Sequence, residues 1–201
     1  MKQSKKQLFY RAGFAVTALS VVLSPIAASA ITEDTTINAS IGSTISITTS
    51  GTVTINVTPT ASGSMSSQSD TVSVSTNNTA GYTLTIANND TTTNLVNGGN
   101  TIAADAGTQA SPTGSLTNNR WGYRVDGVGG FGAGTTSAES NVASSAYSWA
   151  GVPSSASPNT LKNTSTTASG DITTVWFGVK ADTSKPNGTY TDSVVYSATT
   201  N

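Results

Sequence analysis

Apolar side chains recur at every second position in several short stretches of this 201-residue chain. The pattern is clearest in segments 45–47, 53–57, 72–74, 82–86, 121–125 and 175–181. The residues between the apolar positions are mostly Ser, Thr and Asn. Because successive side chains of a strand point to opposite faces of a sheet, this alternation predicts strands with one buried and one polar face.

The end of the chain predicts one further strand. Residues 185–188 (Lys-Pro-Asn-Gly) combine a fixed proline φ with an Asn-Gly pair that tolerates positive φ. This pattern predicts a hairpin between the strand that ends near residue 181 and a last strand at about 189–199. The last strand places four apolar residues on one face, namely Tyr190, Val194, Tyr196 and Ala198.

Short strands separated by turns favour two packed sheets over an alternating α/β fold. We therefore predict an all-β protein, a two-sheet sandwich with long loops. A single domain would occupy residues 38–201 and follow a short polar lead at 31–37. Two long irregular excursions, at 88–118 and 126–148, interrupt the pattern of strands.

The second excursion contains two motif-like stretches. Thr136 and Glu139 have the spacing of a capping box before an Ala-rich segment, so a short helix at about 137–146 is one interpretation and a loop is the other. Residues 127–132 match the glycine spacing of a dinucleotide-binding loop. That site also needs a helix directly after the glycines, and here Ala133-Gly134 continue the loop pattern, so a surface loop is favoured.

The first 30 residues have the three-part order of a secretory signal peptide. A basic start at 1–11 precedes a twelve-residue apolar stretch at 12–23, and Ala28 and Ala30 form an A-x-A cleavage pattern. A membrane-spanning helix needs about 20 apolar residues, which is more than this stretch provides. We therefore predict an N-terminal signal helix, cleavage after Ala30, secretion, and no membrane association after cleavage.

Composition excludes several kinds of chemistry. The chain has no Cys and no His, so it cannot form a disulfide, a thiolate nucleophile, a zinc finger or a His-based catalytic triad. From residue 31 onward it has ten acidic and five basic residues, a net charge of −5, which argues against nucleic-acid binding. The carboxylates are scattered, and we expect no enzymatic activity, no cofactor and no metal site.

Three stretches together carry a resemblance to known proteins: 71–86, 119–125 and 175–201. They contain an N-x-x-x-G-Y-x-L strand, a W-G-Y strand and a terminal P-x-G-T-Y-x-x-x-V-x-Y hairpin. In these features the chain resembles uncharacterised, Thr-rich secreted surface proteins of ultrasmall candidate-phylum bacteria. The terminal hairpin is also similar to spore-coat-U-like and pilus-like sandwich domains. The resemblance implies an immunoglobulin-like sandwich at the cell surface and supplies no catalytic residues.

The aromatic residues are the candidate contact residues. Tyr82, Trp121 and Phe177 alternate with apolar neighbours and are predicted to lie in the core. Trp176 has the opposite parity to Phe177, so it should face outward and is the leading candidate for contact with a partner. Trp149 is the second candidate.

Three functions are consistent with these patterns. The first is a secreted, non-enzymatic structural or adhesion protein of the cell surface, with an extracellular protein or glycan surface as its partner. The second is a carbohydrate-binding module that uses exposed tryptophans. The third is a polymerising, pilus-like subunit whose polar lead at 31–49 complements the sheet edge of a neighbour. The sequence leaves the oligomeric state open.

Overall fold

The computed structural model describes residues 33–201, and every regular element in this range is a β-strand. The predicted signal helix and its cleavage site at Ala28 and Ala30 lie outside the described residues. The nine strands are β1 (Ile45–Thr48), β2 (Ser64–Thr76), β3 (Tyr82–Asn88), β4 (Leu95–Asn97), β5 (Asn100–Ala104), β6 (Arg120–Arg124), β7 (Asn159–Asn163), β8 (Ala168–Ala181) and β9 (Val194–Thr200). The prediction of an all-β chain is confirmed for this range.

The strands form two sheets. One has six strands in the order β1-β2-β8-β6-β5-β4, and the other has three in the order β7-β3-β9. Neighbouring strands run antiparallel except β5 and β6, which are parallel. The long pair β2 and β8 forms the centre of the larger sheet, with Ser64 opposite Ala181 at one end and Thr76 opposite Ala168 at the other.

The main core lies between the two sheets. The larger sheet contributes Val72 and Val175, and the smaller sheet contributes Leu84 and Ile86, each with no exposed surface. The predicted core aromatics belong to the same cluster: Tyr82, Trp121 and Phe177 are 0%, 3% and 6% exposed. The alternation of apolar residues therefore assigned these side chains to the buried face correctly.

The strand predicted at 53–57 is absent from both sheets. Val53, Ile55 and Val57 do pack against the main core, and the residues between them are exposed. Among the described residues, however, no backbone hydrogen bond joins this segment to a strand. The segment is thus extended chain that covers the core through its side chains alone, which periodicity cannot distinguish from a paired strand.

The predicted hairpin at 185–188 is also wrong. β8 belongs to the six-stranded sheet and β9 to the three-stranded sheet, so the intervening chain crosses from one layer to the other. A turn closed by Lys185 N–H and Asp182 C=O starts this crossing. The backbone of Thr191 then pairs with Val96 at the edge of β4. The turn residues were identified, but their sequence does not specify which sheet the next strand joins.

The helix considered at 137–146 does not form. The N–H of Val142 donates to Met65 C=O, and the C=O groups of Val142 and Glu139 accept from Met65 and Ser67 of β2. Extended pairing with β2 therefore satisfies the backbone that a helix would have satisfied internally. The Glu139 carboxylate does not cap a helix but accepts hydrogen bonds from the N–H of Ala146 and the hydroxyl of Ser145.

Candidate functional site

The six-stranded sheet has an outer face that points away from the main core. Because side chains alternate along β2 and β8, this face carries Met65, Ser67, Ser69 and Thr71 of β2 and Trp176 and Gly178 of β8. One half of the face is covered by the second excursion (126–148) and by Trp149, which follows it, and the other half is open. We treat these as the covered half and the open half.

A second, smaller core fills the covered half. Met65, Leu116 and Trp149 form a buried cluster, and Val142, Tyr147 and Trp176 pack against it. A Cβ atom at Gly178 would lie 3.0 Å from two atoms of the Trp149 ring. Gly178 therefore leaves the space in which the indole lies on the sheet.

Serine hydroxyls of β2 attach the excursion to the sheet. The N–H of Glu139 donates to Ser67 Oγ, and the N–H of Asn141 donates to Ser66 Oγ, each over 3.0 Å. These serines are 0% and 4% exposed, so the hydroxyls that accept the hydrogen bonds lie on the buried side of the contact. The Ser-rich start of β2 thus acts as a buried polar surface that binds a loop.

A buried arginine orders the glycine-rich part of the excursion. Arg124 is 3% exposed and donates to the carbonyl oxygens of Phe131 (2.8 Å) and Gly134 (3.1 Å). Its guanidinium pairs with Asp126 over 2.8 Å, and both groups bond the hydroxyl of Thr136. Buried charges are tolerated when they are paired and hydrogen-bonded, and here the guanidinium has both an ion pair and hydrogen bonds to two carbonyls and a hydroxyl. The glycine motif is therefore a structural loop around a guanidinium.

Trp149 is not a surface residue. It has no exposed area, and its indole N–H donates to Ser145 Oγ over 2.9 Å. Its backbone pairs with Thr113, and Ala150 pairs with Tyr123 of β6, so the segment continues the sheet at the edge of β6. The prediction of Trp149 as a contact residue is wrong because the excursion directs the ring inward, onto the covered half.

Trp176 lies at the boundary between the two halves. It is half-buried, with one side against the smaller core, and its register partners are Ser69 and Arg124. The half-buried Tyr147 also borders the smaller core, and the Arg124 guanidinium lies 5.1 Å from the centre of its ring. The outward direction predicted for Trp176 agrees with this position, although part of the ring is covered.

The open half is formed by short, uncharged side chains. Thr71 faces Thr174 across β2 and β8, and the row Thr48–Ser73–Ile172 spans three strands. Thr48, Thr71 and Thr174 are exposed, and Ile172 is 59% exposed. Together with Trp176, these residues make a surface of hydroxyls and two apolar side chains.

Residues 33–201 contain neither a cluster of side chains that could bind a metal ion nor a membrane-spanning helix. No group of three or more acidic side chains is placed to hold an ion there. No helix in this range is long and apolar enough to cross a bilayer. Comparison with protein-family models, with curated proteins and with solved structures finds no match to this chain.

Proposed function

We propose that the chain is a secreted, non-enzymatic adhesion module of the cell surface, built as an immunoglobulin-like sandwich, that docks through the open half of the outer face. The observation that carries the proposal is the uncharged surface formed by Thr71, Thr174, Ile172 and Trp176. Covering short hydroxyls costs less desolvation free energy than covering charges, provided that the partner supplies hydrogen bonds to those hydroxyls.

Aromatic anchors commonly dominate such contacts, and the half-buried ring of Trp176 is already held in place by the smaller core. The ring therefore loses little side-chain entropy on binding. Because Trp149 is buried, Trp176 is the one candidate tryptophan left for contact with a glycan. Extracellular glycan is accordingly one class of partner in the test, and protein is the other.

Binding of the labelled protein to whole cells, to insoluble polysaccharides and to immobilised extracellular proteins tests this proposal. Trp176→Ala should weaken adhesion at least tenfold if the ring is an anchor. Thr71→Lys and Thr174→Lys should also weaken it, because a partner would have to desolvate the new charge. Thr199→Lys, an exposed threonine of β9 in the other sheet, is the matched control and should bind as the parent does. Equal binding by all four variants would refute the proposal.

A second candidate, a polymerising subunit, is favoured by one observation in the lead. Ile37 and Ile41 are each 88% exposed. Together with Ala39 they place an apolar residue at every second position, which is the pattern of a β-strand. β1 already pairs with β2 of its own chain, and Gly42 and Thr44 bond the Asn77 side chain, so within the predicted lead only the part before Gly42 is available to a neighbour. Pairing of this segment with an unpaired sheet edge would bury both isoleucines.

Sedimentation velocity over a range of concentrations tests this second candidate. Association that Ile37→Asp and Ile41→Asp abolish would support it. The matched control is Val96→Asp, which introduces the same charge at an exposed apolar residue of β4. A monomer at every concentration would rule out polymerisation and leave the adhesion proposal untouched.

A further inference from the structure

The larger sheet has a gap beside the first half of β8. β6 ends at Arg124, which lies opposite Trp176 of β8. Residues 168–175 of β8 therefore pair with β2 on one side, and in the described part of the chain no strand pairs with them on the other side. A cavity of about 340 Å³ lies at this position and borders the open half at Thr174. The gap thus has the place of one missing strand.

The backbone of β8 points hydrogen-bonding groups into this gap. Tyr123 of β6 exchanges both of its backbone hydrogen bonds with Ala150, on the side away from β8. Because backbone groups alternate in direction along an antiparallel strand, the next residue of β6 bonds Trp176 of β8. Counting by twos along β8, the N–H and C=O groups of Thr174 and Ile172 point to the same side as those of Trp176. Within residues 33–201, no backbone group bonds these four groups.

The floor of the gap is largely apolar. Val125, Val128 and Leu161 line it and belong to the main core or pack against it. Two charged residues also line it, Asp126 and Lys162, and each already forms an ion pair within the chain. A strand placed in the gap would therefore cover apolar side chains without burying a charge that lacks a partner.

The free part of the lead, residues 33–41, matches the gap in length and in pattern. As a strand it would span roughly 30 Å, and residues 168–175 of β8 span roughly 26 Å. Ile37, Ala39 and Ile41 are apolar, and the residues between them are polar. Both isoleucines are 88% exposed, so the lead of the same chain does not fill the gap.

We infer that the lead of a second copy adds to β8 in this gap as an antiparallel strand that bonds the backbone of Ile172 and Thr174. The inference rests on the second candidate function, the polymerising subunit, and names the edge that the lead meets. Antiparallel pairing continues the direction of β6. The odd-numbered residues of 37–41 then face the apolar floor, and the even-numbered residues face outward beside Ile172 and Thr174. Because the lead and the gap are different surfaces of one chain, the contact can repeat head to tail.

Cross-linking through introduced cysteines tests this inference, because the chain has no Cys of its own. A size-tagged Thr174→Cys chain is mixed with an untagged chain that carries one cysteine in its lead, and the mixture is oxidised. At least one of Thr36→Cys, Asn38→Cys and Ser40→Cys should form the mixed dimer about fivefold faster than Ala39→Cys does. The reason is that the side chain at position 39 points to the opposite face of the added strand.

Two further chains serve as controls. Ser197→Cys replaces Thr174→Cys with an exposed position on β9, an edge strand of the other sheet. It should form the mixed dimer no faster with the even-numbered lead cysteines than with Ala39→Cys. Adding Trp176→Ala to the tagged chain should leave the cross-linking rates unchanged, so this inference and the adhesion proposal can fail separately.

The remaining outcomes overturn the inference in distinguishable ways. Equal rates for the even-numbered positions and Ala39→Cys, or a faster rate for Ala39→Cys, would show that the lead does not pair with β8 in this way. Preferred cross-linking to Ser197→Cys would move the contact to β9 and leave the second candidate function standing. A chain with both Asn38→Cys and Thr174→Cys that closes into a cross-linked monomer would show that its own lead fills the gap. No mixed dimer, together with a monomer at every concentration in sedimentation, would overturn the inference and the second candidate function together.

Discussion

Gly178→Ala probes whether the outer face of the six-stranded sheet is covered by a second core. A Cβ atom at this position would lie 2.6 Å from Met65 Cε and 3.0 Å from the Cη2 and Cζ3 atoms of Trp149. The Met65 methyl is the end of a flexible side chain and can shift. The Trp149 ring has no exposed surface and is fixed by its hydrogen bond to Ser145, so it cannot shift without opening the cluster.

The sign of the change in stability decides the question. Extra methyl groups in a packed core cost about 1–3 kcal/mol of unfolding free energy. On a solvent-exposed strand, replacing glycine with alanine would instead stabilise the fold by about 0.4–1 kcal/mol, because the unfolded chain loses conformational freedom. The φ of Gly178 is not in the left-handed region, so no backbone strain confuses the comparison.

Urea unfolding followed by far-UV circular dichroism measures this difference. Gly114→Ala is the matched control, because Gly114 has open space around its Cβ position and no positive φ. It should be neutral or slightly stabilising. The double variant Gly178→Ala/Met65→Ala should lose less stability than the sum of the two single losses, because the new methyl group and the Met65 side chain compete for the same space. A Gly178→Ala protein as stable as the parent, or more stable, would refute the covered half.

Three further predictions concern the main core, the buried Arg124 and the stability of the fold at low pH. Leu84→Ala should cost about 2–5 kcal/mol of unfolding free energy, because Leu84 has no exposed surface in the main core; a cost below about 0.5 kcal/mol in urea would mean that β3 buries its other face. Arg124→Met should cost about 3–5 kcal/mol, because it leaves the Asp126 carboxylate without its cation and two loop carbonyls without a donor. Limited proteolysis should then cut within 127–134 faster than in the parent, and an unchanged cleavage rate would contradict the role given to Arg124. The pKa values of Asp126 and Asp171 are lowered in the folded chain, so their contribution to stability is present above the ordinary pKa of about 4 and is lost as the pH falls through the lowered values. The melting temperature should therefore drop below about pH 4, and Asp171→Asn should flatten this drop, whereas an identical pH profile would show that the Lys162–Asp171 pair contributes nothing.

The sequence predicted the elements whose buried faces are made of large apolar residues. β3, β6 and the second half of β8 alternate Tyr, Leu, Ile, Trp, Val and Phe with polar residues, and each pairs in a sheet as expected. Hydrophobic burial dominates at these positions, so the pattern alone assigns them.

The first half of β2 could not be predicted in this way. Residues 64–70 (Ser-Met-Ser-Ser-Gln-Ser-Asp) contain no alternation of apolar residues, yet Ser66 and Ser67 are buried and their hydroxyls accept hydrogen bonds from the excursion. A buried serine whose partner is a backbone N–H over 70 residues away leaves no local signal. β7 could not be predicted either, because Leu161 is its single buried residue and one apolar side chain makes no alternating pattern.

The candidate contact surface was predicted in part. Parity alone directed Trp176 outward, but it could not show that the excursion covers half of the same face. Gly122 and Gly178 lie opposite each other and leave room for the segment that covers this half. In the sequence alone, a glycine within a strand does not indicate that another segment packs over it. Trp149 was misassigned for that reason, since its environment is created by residues far away in the chain.

Fluorescence quenching of single-tryptophan variants by acrylamide tests the two-sided burial of the six-stranded sheet most directly. With the other two tryptophans replaced by phenylalanine, Trp149 should be shielded as well as Trp121 is, and Trp176 should be quenched to an intermediate degree. The reverse order, with Trp149 quenched as readily as free tryptophan and Trp176 fully shielded, would contradict both the second core and the surface proposed for adhesion.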